Sequence, residues 1–240
     1  MADYVNLAMT AGMVGRMQQP AIAVMAKAPE AGQVKTRLVP PLSHEEAAEL
    51  YRCLLQDKLL RVGQLSEADP YLAYTPAEAR EAMLSLAPRR FTLIPQSGSD
   101  LGDRLHRLSA ILLGRGHSAA ILIDSDTPTL PTAFLADAIT RLTDETAELV
   151  LGPAEDGGYY LIGLRRPCRA LFDGIPWSGP AVLTETLRRA SAKRLRVSML
   201  PSWFDVDTPD DLVRLRRDLA TNGHAHAPHT RRFFFHGQGG

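Results

Sequence analysis

The sequence predicts an α/β domain built on a mostly parallel sheet with helices on both faces. Three observations carry this. Short apolar runs are bounded by Pro, Gly or Asp, segments with helical spacing alternate with them, and no linker divides the 240 residues. Hydrophobic residues at 45% suffice for the core of one large domain.

In chain order, residues 21–26 (AIAVMA) read as a buried strand. Ser43-His-Glu-Glu then opens a helix with an N-cap and an acidic first turn, continuing through Leu50, Leu54, Leu55 and Leu59. Residues 71–74 (YLAY) are a weaker strand, and 76–86 have helical spacing. FTLI (91–94) is the next strand, 101–113 the next helix, and AAILID (119–124) a further strand. A helix over 131–142 leads to the strand ELVLG (148–152). GYYLIGL (158–164) is another weak strand, and helices over 179–193 and 208–219 complete the pattern. In such a sheet, ligands bind at the carboxyl ends of the strands.

Composition narrows the function. Lys and Arg number 27 and so do Asp and Glu, so the zero net charge argues against nucleic-acid or membrane partners. A phosphorylated ligand would need a local cationic cluster. Cys53 and Cys168 form no CxxC pair, so a reducing cytoplasm is expected rather than a disulfide scaffold. Residues 1–19 lack the basic start and unbroken apolar core of a secretory signal and read as a disordered extension. Residues 221–240 read as a second disordered tail, rich in histidine at His224, His226, His229 and His236.

Four clusters fall at strand ends. The first strand empties into Lys27-Ala-Pro-Glu-Ala-Gly32-Gln-Val-Lys35-Thr36-Arg37, whose cations suit phosphate oxygens; the plain alternative is a solvated basic loop. It is no Walker loop, because GxxxxGK[ST] is absent. Asp124-Ser-Asp126-Thr-Pro128 offers carboxylates at i and i+2 that suit Mg²⁺, or simply a turn whose Asp126 caps a helix. Its fifth residue and mid-chain position disfavour a haloacid-dehalogenase-like phosphatase. Glu155-Asp156-Gly157-Gly158 permits close backbone approach to a ligand or a hairpin turn. Asp205-Val-Asp207-Thr208-Pro209 opens the last helix, where acidic residues also favour the helix dipole.

These segments, with Asp100-Leu-Gly-Asp-Arg104 and Pro176-Trp177-Ser178 between them, follow one another in the order of a known family. Over residues 20–219 the chain resembles the transferase 1 family associated with radical-SAM and selenodomain proteins. That family is similar to the GT-A, nucleotide-diphospho-sugar transferase superfamily, so the resemblance implies a GT-A-like three-layer sandwich. It implies nucleotide contacts at Lys27, Gly32, Lys35, Thr36, Arg37, Gly98, Leu101, Gly102 and Arg104. By the same match Lys35 and Arg37 hold phosphates, Asp126 and Asp207 hold Mg²⁺ or Mn²⁺, and Asp124, where the family usually has Gly, is a secondary ligand. Glu155, Asp156, Gly157, Gly158, Trp177 and Asp205 fall on the acceptor or sugar side. The mechanistic relatives are guanylyltransferases acting on 2-phospho-L-lactate or molybdenum cofactor. The leading expectation is therefore metal-dependent nucleotidyl transfer from an NTP, with Lys35, Arg37 and Asp126 as the catalytic groups. Glycosyl transfer from a nucleotide-sugar and a non-catalytic nucleotide-binding module are the alternatives.

Overall fold

In the computed structural model, which describes residues 19–177, 179–221 and 227–235, the first apolar run forms β1 (Ala21–Lys27). Helix α1 (His44–Gly63) follows, started by a full capping box. Ser43 Oγ accepts from the Glu46 amide, and the Glu46 carboxylate accepts from the Ser43 amide. Next come β2 (Asp69–Thr75), a 3-10 turn (Ala77–Ala79) and α2 (Arg80–Leu86). Then follow β3 (Thr92–Pro95) and α3 (Leu101–Gly114), the latter capped by Asp100. The chain continues through β4 (Ala120–Ile123), α4 (Thr132–Thr143), β5 (Leu149–Pro153) and β6 (Tyr159–Leu164). It closes with α5 (Val182–Ala192), β7 (Val197–Met199), α6 (Pro209–Thr221) and α7 (Pro228–Phe235).

The seven strands make one sheet in the order β3-β2-β1-β4-β6-β5-β7. Only β6 runs against its neighbours, pairing antiparallel with β4 and with β5. The fold is thus a single α/β domain with a mostly parallel sheet. One face buries Leu55, Leu59, Leu72, Ile121 and Leu135 with α1, α2 and α4. The other buries Leu105, Leu108, Leu112, Leu122, Ile162 and Ala190 with α3 and α5. A third cluster, including Leu50, Leu54, Leu212 and Leu215, joins α1 to α6. The strand order reverses between β1 and β4, since β2 lies on one side of β1 and β4 on the other. That switch point opens a crevice at the carboxyl ends of the strands.

Two elements depart from the sequence expectation. Strand β7 has only three residues, none of them fully buried, so no apolar run marks it. Residues 228–235, expected from composition to fray, form α7. Its amino terminus is held by buried Asp57 of α1, whose carboxylate accepts from the His229 amide (3.0 Å), the Thr230 amide (2.8 Å) and Thr230 Oγ1 (2.6 Å). Arg231 also donates to the Leu219 carbonyl. The disordered-tail expectation therefore fails over this helix, because a partner outside the segment satisfies its free amides. The expected N-terminal extension (1–18), Ser178, His224, His226 and His236 lie outside the described residues. No described helix is long and apolar enough to cross a membrane.

Candidate active site

A cavity of about 460 Å³ opens at the ends of β1 and β4. Its lining takes Lys27, Lys35, Thr36 and Arg37 from the first loop, Asp124, Ser125 and Asp126 from the loop after β4, and Asp207 from the loop before α6. Three separate segments thus deliver the charged groups to one place. Their meeting is fixed by backbone ties. The Asp124 amide donates to the Tyr160 carbonyl (3.0 Å) and the Val206 amide to the Asp126 carbonyl (3.2 Å), so the Asp207 loop is carried against Asp126. Asp211 secures that loop by accepting from the amides of Asp207 (3.1 Å) and Thr208 (2.7 Å).

Lys35 lies at the centre. Its backbone is left-handed (φ 48°), uncommon for a side chain of this kind, and its Nζ lies 2.6 Å from Asp126 Oδ2 and 2.6 Å from Asp207 Oδ1. Burial alone would lower the Lys35 pKa, but the two carboxylates outweigh it and hold the ammonium charged well above its ordinary range. Burial likewise opposes ionisation of Asp126, and Lys35 reverses that, keeping its pKa below the usual carboxylate value. Arg37 stays exposed with its guanidinium 3.4 Å from Asp207 Oδ2. Tyr51 supports the loop from beneath. Its hydroxyl accepts from the Lys27 amide (3.1 Å) and shares a hydrogen bond with Ser125 Oγ (2.8 Å), and burial pushes the phenol up to about 12.

Asp124 has a different environment. Its Oδ1 accepts from buried Lys58 Nζ (3.0 Å) and from Thr127 Oγ1 (2.7 Å), while Lys58 also donates to Thr127 Oγ1. Burial, more than neighbouring Asp126, raises its pKa to about 6 against the pull of Lys58. The carboxylate faces an internal counter-ion, so the secondary metal role expected for Asp124 finds it already partnered inside the protein. One turn along α1, Arg61 donates to the carbonyls of Pro128 (3.0 Å) and Leu130. Two buried cations from one helix therefore clamp the loop that carries Asp126.

Of the residues expected to contact a nucleotide, Leu101 and Arg104 line the cavity with Lys27, Lys35, Thr36 and Arg37, whereas Gly32, Gly98 and Gly102 do not. Gly32 and Gly98 shape turns (φ 75° and 145°). Gly102 is small because a Cβ there would fall 2.7 Å from Trp177 Nε1, within the packing of α3. Glu155, Asp156, Gly157, Gly158 and Trp177 also lie outside the lining. Glu155 pairs with Arg214 (2.5 Å), and Asp156 Oδ1 accepts from the Gly158 amide (2.9 Å), as a turn-forming Asp does. Gly157, at φ 93°, would place a Cβ 2.2 Å from the Pro180 carbonyl oxygen. Trp177 meets Tyr159 edge to face. Asp205 is half-buried beside the carboxylates, and burial, followed by Asp207, Asp126 and Asp156, raises its pKa to about 7. Sequence reasoning missed Tyr51, Lys58, Thr75, Gln96, Tyr159 and Tyr160. For Lys58 a signal existed, since it shares a helical stripe with Leu54, Leu55 and Val62.

Known proteins fit this picture. A 2-phospho-L-lactate guanylyltransferase of Methanocorpusculum labreanum is 26% identical over 196 residues, 80% of each chain. A crystal structure from Desulfovibrio desulfuricans G20, assigned to the nucleotide-diphospho-sugar transferases, is 34% identical with a TM-score of 0.83, covering 91% of this chain and 94% of its own. The fold alone is shared with CMP:2-keto-3-deoxy-manno-octonic acid synthetase complexed with CTP, at 14% identity, a TM-score of 0.56, and coverage of 86% of this chain and 100% of that one. Residues 58–179, from buried Lys58 through Gln96, Asp126 and the Gly157 turn, match the family model described as uncharacterized protein conserved in bacteria (DUF2064), and the chain belongs to that family.

Proposed function

We propose that this transferase moves a nucleotidyl group from an NTP to a small phosphate or phosphonate acceptor. An acceptor oxygen attacks the α-phosphorus, the bond from that phosphorus to the β-phosphate bridge breaks, and pyrophosphate leaves. One observation carries the reading: Lys35 holds Asp126 and Asp207 together at 2.6 Å each, inside a cavity that also takes Lys27 and Arg37. The guanylyltransferase relative supports it.

The chemistry asked of the protein is positioning and charge stabilisation, with no nucleophilic side chain required. Lys35 and Arg37 offer cationic donors to phosphate oxygens, Lys as a mobile point charge and Arg as a planar fork. Asp126 and Asp207 already converge on one cation, and such a pair suits a hard divalent ion completed by substrate phosphates. Mg²⁺ or Mn²⁺ held there would neutralise charge on the phosphates during transfer. The Lys58 and Arg61 clamp keeps Asp126 in place, and Tyr51 braces Ser125 and the backbone at Lys27.

A second reading, glycosyl transfer from a nucleotide-sugar, is favoured by the assignment of the 34%-identical relative. Pyrophosphate release separates the two. Incubation with NTP, Mg²⁺ and a panel of phosphate and phosphonate acceptors is expected to liberate it, and Asp126→Asn to abolish it. Lys35→Ala is expected to weaken NTP binding at least about tenfold, as loss of a charge-assisted contact does. Unchanged NTP binding by Lys35→Ala would discard the proposal.

A further inference from the structure

We propose that Lys35 is a displaceable counter-ion: its ammonium keeps a divalent cation off Asp126 and Asp207 until a nucleotide's phosphates draw it away. Metal and nucleotide then bind as a coupled pair. This rests on the reading of Asp126 and Asp207 as the metal pair and goes beyond it by giving Lys35 two successive positions.

What matters is which oxygens Lys35 takes. Its Nζ lies 2.6 Å from Asp126 Oδ2 and 2.6 Å from Asp207 Oδ1, the oxygens through which the two side chains converge. A divalent ion joining the two carboxylates needs those same oxygens. Two cations crowded onto one pair of oxygens repel strongly, so the ion and the ammonium exclude each other. The Lys35 side chain is only 6% exposed, and water screens the arrangement little. Arg37 differs. Its side chain is 69% exposed, lies 3.4 Å from the other Asp207 oxygen, Oδ2, and leaves the shared oxygens alone.

The loop lets the ammonium move without its main chain. Val34 is buried against Ala48 and Tyr51 of α1, and the Lys35 carbonyl accepts from the Leu38 amide (2.9 Å). The backbone on both sides of Lys35 is therefore held, and its flexible four-carbon stem is what swings. Lys35, Thr36 and Arg37 all line the cavity, so an incoming phosphate reaches Nζ from that side. A buried ammonium that left two carboxylates for nothing would be heavily penalised, but phosphate oxygens replace them as charge-assisted acceptors. The carboxylates, relieved of one cation, receive the other. Each ligand removes the obstacle to its partner, and such a coupling is reciprocal.

Phosphate ligation of the ion would also couple the two ligands, so the test is made on metal alone. Electron paramagnetic resonance counts free Mn²⁺ against nucleotide-free wild type, Lys35→Met and Arg37→Met. Lys35→Met should bind Mn²⁺ at least about tenfold more tightly than wild type, while Arg37→Met should rise far less. Melting curves with increasing Mn²⁺ give a second readout, since the melting temperature of Lys35→Met should climb more steeply than that of wild type. Lys35→Gln, which keeps a neutral donor for the carboxylates, repeats both measurements should Lys35→Met fail to fold. Affinity for Mn²⁺ no higher than in wild type overturns the inference, and pyrophosphate release then still decides whether nucleotidyl transfer stands. An equal rise in the Lys35 and Arg37 variants also overturns it, because the effect would then be that of any nearby charge. Mn²⁺ bound by none of these proteins, even with ATP, GTP, CTP or UTP present, overturns the inference and the metal in the proposed function together.

Discussion

The chemistry of single residues here depends on who faces whom. Asp124 and Asp126 are two positions apart, yet one meets Lys58 and the other Lys35, and their pKa values move in opposite directions. The sequence shows both as members of one acidic motif and says nothing of their partners, 66 and 91 residues away. Asp205 makes a prediction at this scale. Its folded-state pKa of about 7 exceeds the ordinary 3.8, so the folded chain holds this proton more tightly than the unfolded one. The stabilisation is complete below about pH 4 and is lost as pH rises through about 7. In metal-free protein with chelator, Asp205→Asn should therefore gain stability over wild type above about pH 7, and the gain should shrink steadily toward about pH 4. Urea melts across that range measure it. An Asn variant equally less stable at every pH would contradict the assigned cause.

Among the elements, those with a strong periodic signal stand where the sequence places them, within a few residues at their ends. Helix α1 begins at Ser43 because the capping box is local chemistry, visible in four consecutive residues. Strand β7 and helix α7 were illegible for the converse reason: each is held by groups remote in sequence. Asp57 supplies the acceptor for the α7 amino terminus, and Leu38, Leu50 and Leu219 lie in the cluster that receives Phe233, Phe234 and Phe235. Asp57→Ala should leave those amides and the Thr230 hydroxyl without their partner. The expected cost is about 1–3 kcal/mol, as for other lost buried hydrogen-bond partners. Hydrogen exchange should show the α7 amides losing protection first, while β1 and β4 stay protected.

For the molecule as a whole, a net charge of zero conceals a segregated site. Cations on the first loop and carboxylates on later loops meet only because β1 and β4 are neighbours. A ligand that binds only the folded state stabilises it by mass action. At roughly one hundred times its dissociation constant, the correct NTP with Mg²⁺ should add about 2.7 kcal/mol, raising the melting temperature of a chain this size by about 5–10 °C. EDTA should reduce that shift, and Asp207→Asn should reduce it equally. A shift indifferent to chelator would remove the metal from the proposal.

The amino-acid sequence by itself determined the alternation of strands and helices, the sheet class, and the loops that carry Lys35, Arg37, Asp126 and Asp207. These follow from periodicity, caps and turn residues, which act between neighbours in the chain. Only the tertiary structure decided that Lys35 bridges Asp126 to Asp207, that Lys58 takes Asp124 and that the last described helix docks on Asp57. The physical reason is range. Hydrogen bonds and ion pairs join groups a few ångströms apart in space, and a folded sheet brings together residues that the chain keeps up to 173 positions apart.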